Sequence, residues 1–195
     1  MSPIARILLV RHGPSAHVRH GRWIDVDGIH RYRTEYDAAG IVGDSSPPSA
    51  LTAEAAAAQT IVSSDLARAL ASAERLAPGR AITVSPLLRE THLAIPGWAF
   101  GRLPLLAWSA VLHLYWKYRI WRGTDVTPQE REQADAAADW LMTLAGKNST
   151  VVAVTHGVFR RSLARQLARG GWRPERGRQR YHNWSVWAFR ADSSR

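Results

Sequence analysis

Five charged or titratable side chains follow the ends of apolar runs in the sequence. A buried cation is costly unless it is paired or put to use. The direct step from an apolar run to Arg11 and His12 therefore indicates that an anion is bound at this point of the chain. The five residues are Arg11 and His12 after residues 5–10, Arg68 after residues 60–63, Glu90 after residues 82–85, and His156 after residues 150–155.

The types of these side chains suit an anion built on phosphorus. Arginine presents a rigid fork of donors that matches a tetrahedral oxyanion. An unperturbed histidine, with a pKa of about 6.5, is largely neutral near physiological pH and can attack phosphorus through a ring nitrogen. That nitrogen must carry no proton, so the other ring nitrogen of His12 should donate to a nearby carbonyl, with Gly13 allowing close backbone approach. A carboxylic acid such as Glu90 can protonate a leaving oxygen and then act as a base toward water.

These residues can meet only if the apolar runs form one sheet. Short apolar runs alternate with helical patterns along most of the chain, which is typical of a parallel sheet with crossover helices. In such sheets the ligand crevice lies beyond the carboxyl ends of the strands. The predicted fold is α/β, a three-layer sandwich with a mostly parallel central sheet and helices on both faces. The spacing predicts strands at 5–10, 60–63, 82–85 and 150–155, an edge strand at 186–189, and helices at 65–77, from a T-P-Q-E capping box at 127–130 to Gly146, and at 158–168.

Composition narrows the class of protein. A chain of 195 residues that is 46% hydrophobic is expected to form one domain over residues 1–195. The net charge of +10 is concentrated in residues 157–195, but no nucleic-acid-binding motif accompanies it, so nucleic acid is not an expected partner. The absence of cysteine excludes disulfides and thiolate metal sites. The N-terminal residues lack a signal-peptide pattern, and we expect a cytoplasmic protein.

With its motifs in this order, the chain resembles the histidine phosphatase superfamily, branch 1, also called the phosphoglycerate mutase-like family. The resemblance rests on VRHG at 10–13, SSDLARALASA at 63–73, LLRE at 87–90 and THG at 155–157. LT at 51–52 and HNWSV at 182–186 support it. The resemblance covers essentially the whole chain and implies the phosphoglycerate mutase-like fold.

The resemblance also implies a role for each of the residues named above. His12 would be the nucleophile that forms a phosphohistidine, and Glu90 would be the proton donor. No metal or other cofactor is expected, and the expected partner is a small phosphorylated molecule. The phosphate would be bound by Arg11, Arg68, His156, Ser15 and Gly157.

We expect hydrolysis of a phosphomonoester rather than a mutase reaction. The run that follows RHG in mutases is missing here. Pro14 stands where the family usually has Glu or Gln, and it removes a backbone donor beside the pocket. Two alternatives stay open: a phosphoglycerate-type phosphomutase, and a catalytically silent relative that binds a phosphorylated ligand or a membrane.

Two further segments are predicted to surround the substrate. Residues 14–50 are expected to form a substrate-entrance loop in which Arg22 and Arg31 could meet a second anionic group. The aromatic segment 97–123 is expected to form a helical insert or lid over the phosphate pocket. The side chains predicted to contact the leaving group are Trp98, Phe100 and Trp108, with His92 and Arg102 near its polar parts.

Three other interpretations of the aromatic segment 97–123 compete with the lid. Its tryptophans could form an interfacial helix that docks on anionic lipid, together with Lys117, Arg119 and Arg122. They could instead form the face of a homodimer, since aromatic residues and arginine are enriched in interfaces. They could also simply complete the core.

Overall fold

A six-stranded sheet forms the centre of the molecule. The computed structural model describes residues 5–17, 23–99, 101–175 and 179–191. Across the sheet, the strands are β4 (Thr83–Val84), β3 (Thr60–Ser63), β6 (Thr150–Thr155), β1 (Arg6–Arg11), β8 (Val186–Ala191) and β7 (Trp172–Pro174). The first four of these run parallel, and β8 is antiparallel to both of its neighbours. This confirms the predicted α/β class with a mostly parallel sheet.

The predicted position of the last strand at an edge was wrong. The strand itself exists as β8, but it lies between β1 and β7. β7 has only three residues and ends in Pro174, which has no N–H to donate and is tolerated on an edge strand. A strand this short shows no alternating pattern, and it was therefore not predicted.

Helices cover both faces of the sheet. The helices of the described ranges are α1 (Val26–Ala38), α2 (Ser49–Ala57), α3 (Ala67–Leu76), α4 (Leu105–Trp121), α5 (Pro128–Ala145) and α6 (Phe159–Arg169). Of these, α5 and α6 pack on one face of the sheet and α2 and α3 on the other. α3, α5 and α6 lie where the spacing predicts helices. The predicted capping box opens α5, with Thr127 and Glu130 each accepting from the other's backbone N–H, and Gly146 ends the helix.

The alternation of β1 explains the layers. Ile7 and Leu9 point to one side, where they pack in a core formed with α5 and α6. Leu8 and Val10 point to the other side, where they pack in a core formed with α2 and α3. Successive side chains of a strand face opposite ways, so one apolar run is buried on both faces and its carboxyl end is held rigidly.

A smaller unit lies outside these two cores. The short strands β2 (Trp23–Ile24) and β5 (Leu103–Pro104) pair with each other and join α1 to α4. Ile29 of α1 packs against Leu105 and Trp108 of α4. We call α1, β2, β5 and α4 the α1–α4 unit. No helix in the described ranges is long and apolar enough to cross a membrane.

Two predictions for this region require correction. The segment 14–50 is not a loop, because it contains α1, which is capped by the Asp25 side chain accepting from the N–H of Gly28 at 2.8 Å. Trp108 does not face a leaving group. It is buried, and its indole N–H donates to the carbonyl of Ile24 at 2.7 Å. Packing between α1 and α4 decides both outcomes, and the core interpretation holds for this tryptophan.

Candidate active site

The predicted residues meet where three parallel strands end. Arg11 is in register with Thr155 of β6, and the next residues along these two strands are His12 and His156. The two imidazole centroids lie 5.2 Å apart. Arg68 lies at the start of α3, which follows β3. The strand-end placement expected from the sequence is therefore observed.

His12 has the geometry of a nitrogen nucleophile. Its Nδ1 lies 2.6 Å from the carbonyl oxygen of Gly13, so Nδ1 is the protonated donor and Nε2 is left with its lone pair. Burial lowers the pKa of His12 to about 3, and the positive charges of Arg68 and Arg11 act in the same direction. The ring is therefore neutral at any ordinary pH, as a nucleophile requires.

Gly13 allows a close contact that no other residue would permit. A Cβ atom at this position would lie 2.6 Å from Cζ2 of Trp184. The indole in turn is fixed by a hydrogen bond from its N–H to Oγ of Ser45 at 2.8 Å. The Gly13 N–H donates to Oγ of Ser72 at 2.9 Å. The carbonyl that orients His12 is therefore held between α3 and the loop before β8.

Arg68 is buried, and only one of its nitrogens is committed to protein partners. Its Nη1 donates to the carbonyl of Tyr36 at 2.9 Å and to the carboxylate of Asp37 at 3.0 Å. The Tyr36 ring lies 4.3 Å from the guanidinium carbon. Its Nε and Nη2 are buried without a hydrogen-bond partner among the described residues. Two nitrogens of this buried cation are therefore able to donate to an anion.

Arg11 is arranged in a similar way. Its Nη1 donates to the carbonyl of Tyr181, while its buried Nε has no partner within the described ranges. A Cβ at Gly157 would lie 3.3 Å from Cζ and Nε of Arg11. Gly157, predicted to bind phosphate, thus makes room for the guanidinium of Arg11 at the end of β1.

His156 contributes one more buried donor. Its Nε2 lies 2.9 Å from Oγ of Ser64, and that oxygen accepts from the N–H of Leu66, which leaves the hydroxyl hydrogen for His156. Nδ1 then carries the ring proton, and it has no hydrogen-bond partner in the described part of the chain. Burial lowers the pKa of His156 well below its ordinary value, so the ring is a neutral donor.

The carboxylate of Glu90 lies against the N-terminus of α6. Its Oε1 accepts from the backbone N–H of Phe159 at 2.9 Å and of Val158 at 3.2 Å, whereas Oε2 has only a 3.4 Å contact with Val158. Burial raises the pKa of Glu90, against the opposing effects of these N–H groups and of the two arginines. Oε2 is the oxygen with room for a proton.

Two residues of this region were not predicted. Asp37, in α1, pairs with Arg68 and also lies 3.0 Å from Nε2 of His92. Arg160 is buried behind the site, where it donates to the carbonyl of Ser185 at 2.8 Å, and burial lowers its pKa to about 9. Arg160 follows the THG motif by three residues. This spacing is a sequence signal that distinguishes it from the surface arginines of α6. Nothing in the sequence marks Asp37.

The predicted substrate-binding residues are dispersed. His92 reaches the site through Asp37. Ser15, which was predicted to bind phosphate, accepts from the N–H of His17 at 3.2 Å.

Arg102 donates to the carbonyl of Trp23 at 3.1 Å and lines a cavity of about 190 Å³ in the α1–α4 unit, together with Arg31. Trp98 lies on the surface with 64% of its area exposed. Arg22 and Phe100 lie outside the described residues.

Comparisons with known proteins agree with this fold. Phosphoserine phosphatase from Entamoeba histolytica superposes with a TM-score of 0.56 at 16% identity, covering 94% of this chain and 89% of that one. Phosphoglycerate mutase from Bacillus anthracis gives 0.57 at 16% identity, covering 96% and 88%. A mycobacterial glucosyl-3-phosphoglycerate phosphatase gives 0.52 at 22% identity, covering 85% and 80%. At these identities the likeness concerns the fold alone.

Sequence comparison identifies the family. No match to the chain was found among curated proteins. The model of the histidine phosphatase superfamily (branch 1) matches residues 7–195, which include each of the strand ends described above. The chain therefore belongs to branch 1 of the histidine phosphatase superfamily.

Proposed function

We propose that this protein hydrolyses a phosphomonoester through a phosphohistidine formed on His12, with Glu90 as general acid and base and without a metal ion. Membership in the superfamily supports a phosphatase or a phosphomutase. The observation that carries the proposal is the set of buried donors beside His12 that have no protein acceptor in the described residues: Nε of Arg11, Nε and Nη2 of Arg68, and Nδ1 of His156.

The number and positive charge of these donors suit a phosphoryl group. Two guanidiniums and a neutral imidazole N–H converge beside one nucleophile, and an anion with several oxygens can accept from all of them at once. Most of the catalysis of phosphoryl transfer comes from positioning and from offsetting the charge on the equatorial oxygens. Arg11 and His156 provide both effects from the ends of β1 and β6, and Arg68 provides them from the start of α3.

In the first step, the lone pair of His12 Nε2 attacks phosphorus. The N–P bond forms as the bond between phosphorus and the leaving oxygen breaks. Oε2 of Glu90 gives its proton to that oxygen, and an alcohol departs. The positive charge that develops on His12 is stabilised through Nδ1–H, which donates to the Gly13 carbonyl.

In the second step, a water molecule attacks the phosphorus of the phosphohistidine. The Glu90 carboxylate takes a proton from the water, the N–P bond breaks, and inorganic phosphate leaves. Neutral His12 and protonated Glu90 are restored. The raised pKa of Glu90 suits this exchange, because a general acid and base works best when its pKa lies closer to the working pH.

Phosphate release from a panel of phosphomonoesters, in the presence of a chelator, tests the proposal. We expect release by the wild-type protein and none by His12→Ala. Transfer of phosphate between positions of a phosphoglycerate without net release would identify a mutase instead. Tight binding of phosphate esters with neither reaction would identify a silent binding protein.

A further inference from the structure

The outward face of α4 carries more apolar surface than a free helix of a soluble protein usually shows. Of the nine large apolar side chains that are exposed in the described part of the chain, four lie on α4. Leu106 and Trp121 are each 77% exposed, Leu114 is 66% exposed, and Tyr118 is 50% exposed. Concentrated apolar exposure of this kind marks an interaction site.

These four side chains share one side of the helix. With 3.6 residues per turn, positions 106, 114, 118 and 121 fall within an arc of about 120°. Lys117 is exposed on the same arc, between Leu106 and Trp121. The buried residues of α4 lie on the opposite side. We call Leu106, Leu114, Lys117, Tyr118 and Trp121 the outer face of α4.

The inner side of α4 is already occupied. Trp108 and Leu105 pack against α1, and the Trp116 ring lies 5.9 Å from the guanidinium carbon of Arg161 in α6. α4 thus contacts the body of the protein through the side opposite the outer face. The outer face is turned to solvent and is open to a partner from outside the fold.

The charge around the outer face indicates the chemistry of that partner. No Asp or Glu occurs between residues 91 and 124, whereas Arg102, Lys117, Arg119 and Arg122 all lie in this interval. The chain as a whole carries a net charge of +10. A partner with a dense, extended negative charge beside an apolar layer would satisfy both properties of the face.

A second copy of the chain fits less well. In a twofold contact the same patch faces itself, so the basic side chains of both copies would be brought together. α4 has no carboxylate to offset them. Tyr and Trp beside leucines and basic residues are instead the composition of helices that lie in the headgroup region of a membrane.

We propose that the outer face of α4 docks this protein on an anionic membrane surface, with Leu106, Leu114, Tyr118 and Trp121 entering the interface and Lys117 and Arg122 contacting lipid phosphates. The helix lies along the surface and does not span the bilayer. The inference is independent of the reaction at His12, and it holds whether or not the protein is a phosphatase.

Sedimentation with lipid vesicles tests this proposal. We expect the wild-type protein to bind vesicles that contain phosphatidylglycerol, to bind phosphatidylcholine vesicles weakly, and to be released by high salt. The variant Leu114→Ser/Tyr118→Ser/Trp121→Ser should bind roughly tenfold or more weakly, because it loses the inserted apolar area. Lys117→Glu/Arg122→Glu should lose the preference for the anionic lipid.

The matched control is Val84→Ser, which removes an exposed apolar side chain from the sheet edge and should leave binding unchanged. Circular dichroism and thermal unfolding of each variant separate lost binding from lost folding. Equal sedimentation of the wild type and the triple-serine variant would overturn the proposal. A wild-type dimer in light scattering that the triple-serine variant abolishes, with no vesicle binding by either, would overturn it in favour of a second copy.

Discussion

Asp37 holds the Arg68 guanidinium through a single nitrogen, Nη1. Its Oδ1 lies 3.0 Å from Nη1 of Arg68, and its Oδ2 lies 3.0 Å from Nε2 of His92. The carbonyl of Tyr36 accepts from the same Nη1. The end of α1 thus fixes the guanidinium so that Nε and Nη2 remain available, which couples the α1–α4 unit to the phosphate-binding residues.

Replacement of Asp37 should therefore weaken the site without removing any group that contacts phosphate. A hydrogen bond between charged groups contributes about 1.5–3 kcal/mol, so Asp37→Ala should lower kcat/KM roughly tenfold to a hundredfold. Asp37→Asn keeps an acceptor for Nη1 and should recover part of the loss. Steady-state kinetics with one phosphomonoester measure this order. Equal activity of Asp37→Ala and wild type would show that Arg68 needs no such support.

Gly13→Ala should damage both folding and activity. Its Cβ would meet the Trp184 ring at 2.6 Å, and overpacking of this kind costs about 1–3 kcal/mol. Relief of this clash would shift the backbone and thereby move the Gly13 carbonyl that orients His12. Thermal unfolding and kinetics should show both losses. Gly43→Ala is the matched control, because a Cβ there would have no neighbour within 4 Å, and comparable losses in that variant would contradict the steric explanation.

The pH dependence of stability should report the burial of His12. Its folded pKa of about 3 lies below the unfolded value of about 6.5. Below about pH 6.5 the unfolded chain binds a proton at His12 that the folded protein does not bind. The free energy of unfolding therefore falls as the pH decreases toward 3. Between about pH 6.5 and pH 5 this histidine alone should account for a loss of about 1–2 kcal/mol in the free energy of unfolding.

Urea unfolding of wild type and His12→Gln at the two pH values measures this contribution. The wild type should lose more stability on acidification than the variant, since the other titrating groups are common to both. Parallel losses in the two proteins would mean that His12 titrates in the folded state near its ordinary pKa.

Glu90→Gln should separate the two kinds of leaving group. Loss of a general acid typically costs about 10²–10⁴-fold in rate, and an alkoxide needs the proton more than a stabilised aryl oxide does. The variant should therefore lose more activity on an alkyl phosphate than on an aryl phosphate in single-turnover measurements of phosphoenzyme formation. Glutamine keeps an acceptor for the N–H groups of α6, so the fold should persist. An equal loss on both esters would remove Glu90 from the acid role.

The same carboxyl should set the alkaline side of the pH–rate profile. Burial raises the pKa of Glu90, so the protonated form persists above the ordinary carboxyl range, and the rate should fall as pH rises through this raised value. Glu90→Gln should lack that decline. A decline of the same shape in the variant would assign it to another group.

The elements that carry the site could be predicted because each leaves a local pattern. The runs that become β1, β3 and β6 are continuous and apolar, and the residues at their ends are fixed by covalent continuity. The capping box of α5 is likewise a local signal. The sequence alone therefore predicts the positions of Arg11, His12, Arg68 and His156, whereas Glu90 follows β4 only after the intervening 3-10 turn Pro86–Leu88.

The residues that hold these groups in position leave no such signal. Asp37 meets Arg68 across 31 positions of sequence, through a helix in a segment expected to be a loop. Trp184 adopts a positive φ of 60° and reaches back over Gly13. Trp108 turns inward because α1 packs on it. Each of these contacts depends on tertiary packing, which no periodicity of a single segment expresses.

The identity of the phosphorylated atom tests the central claim most directly. The wild-type protein, mixed with a phosphomonoester, quenched with alkali within one turnover and mapped by peptide mass spectrometry, should carry one base-stable, acid-labile phosphoryl group on His12. His12→Asn should carry none. Turnover without a phosphorylated histidine, or a phosphoryl group on any other residue, would contradict the account.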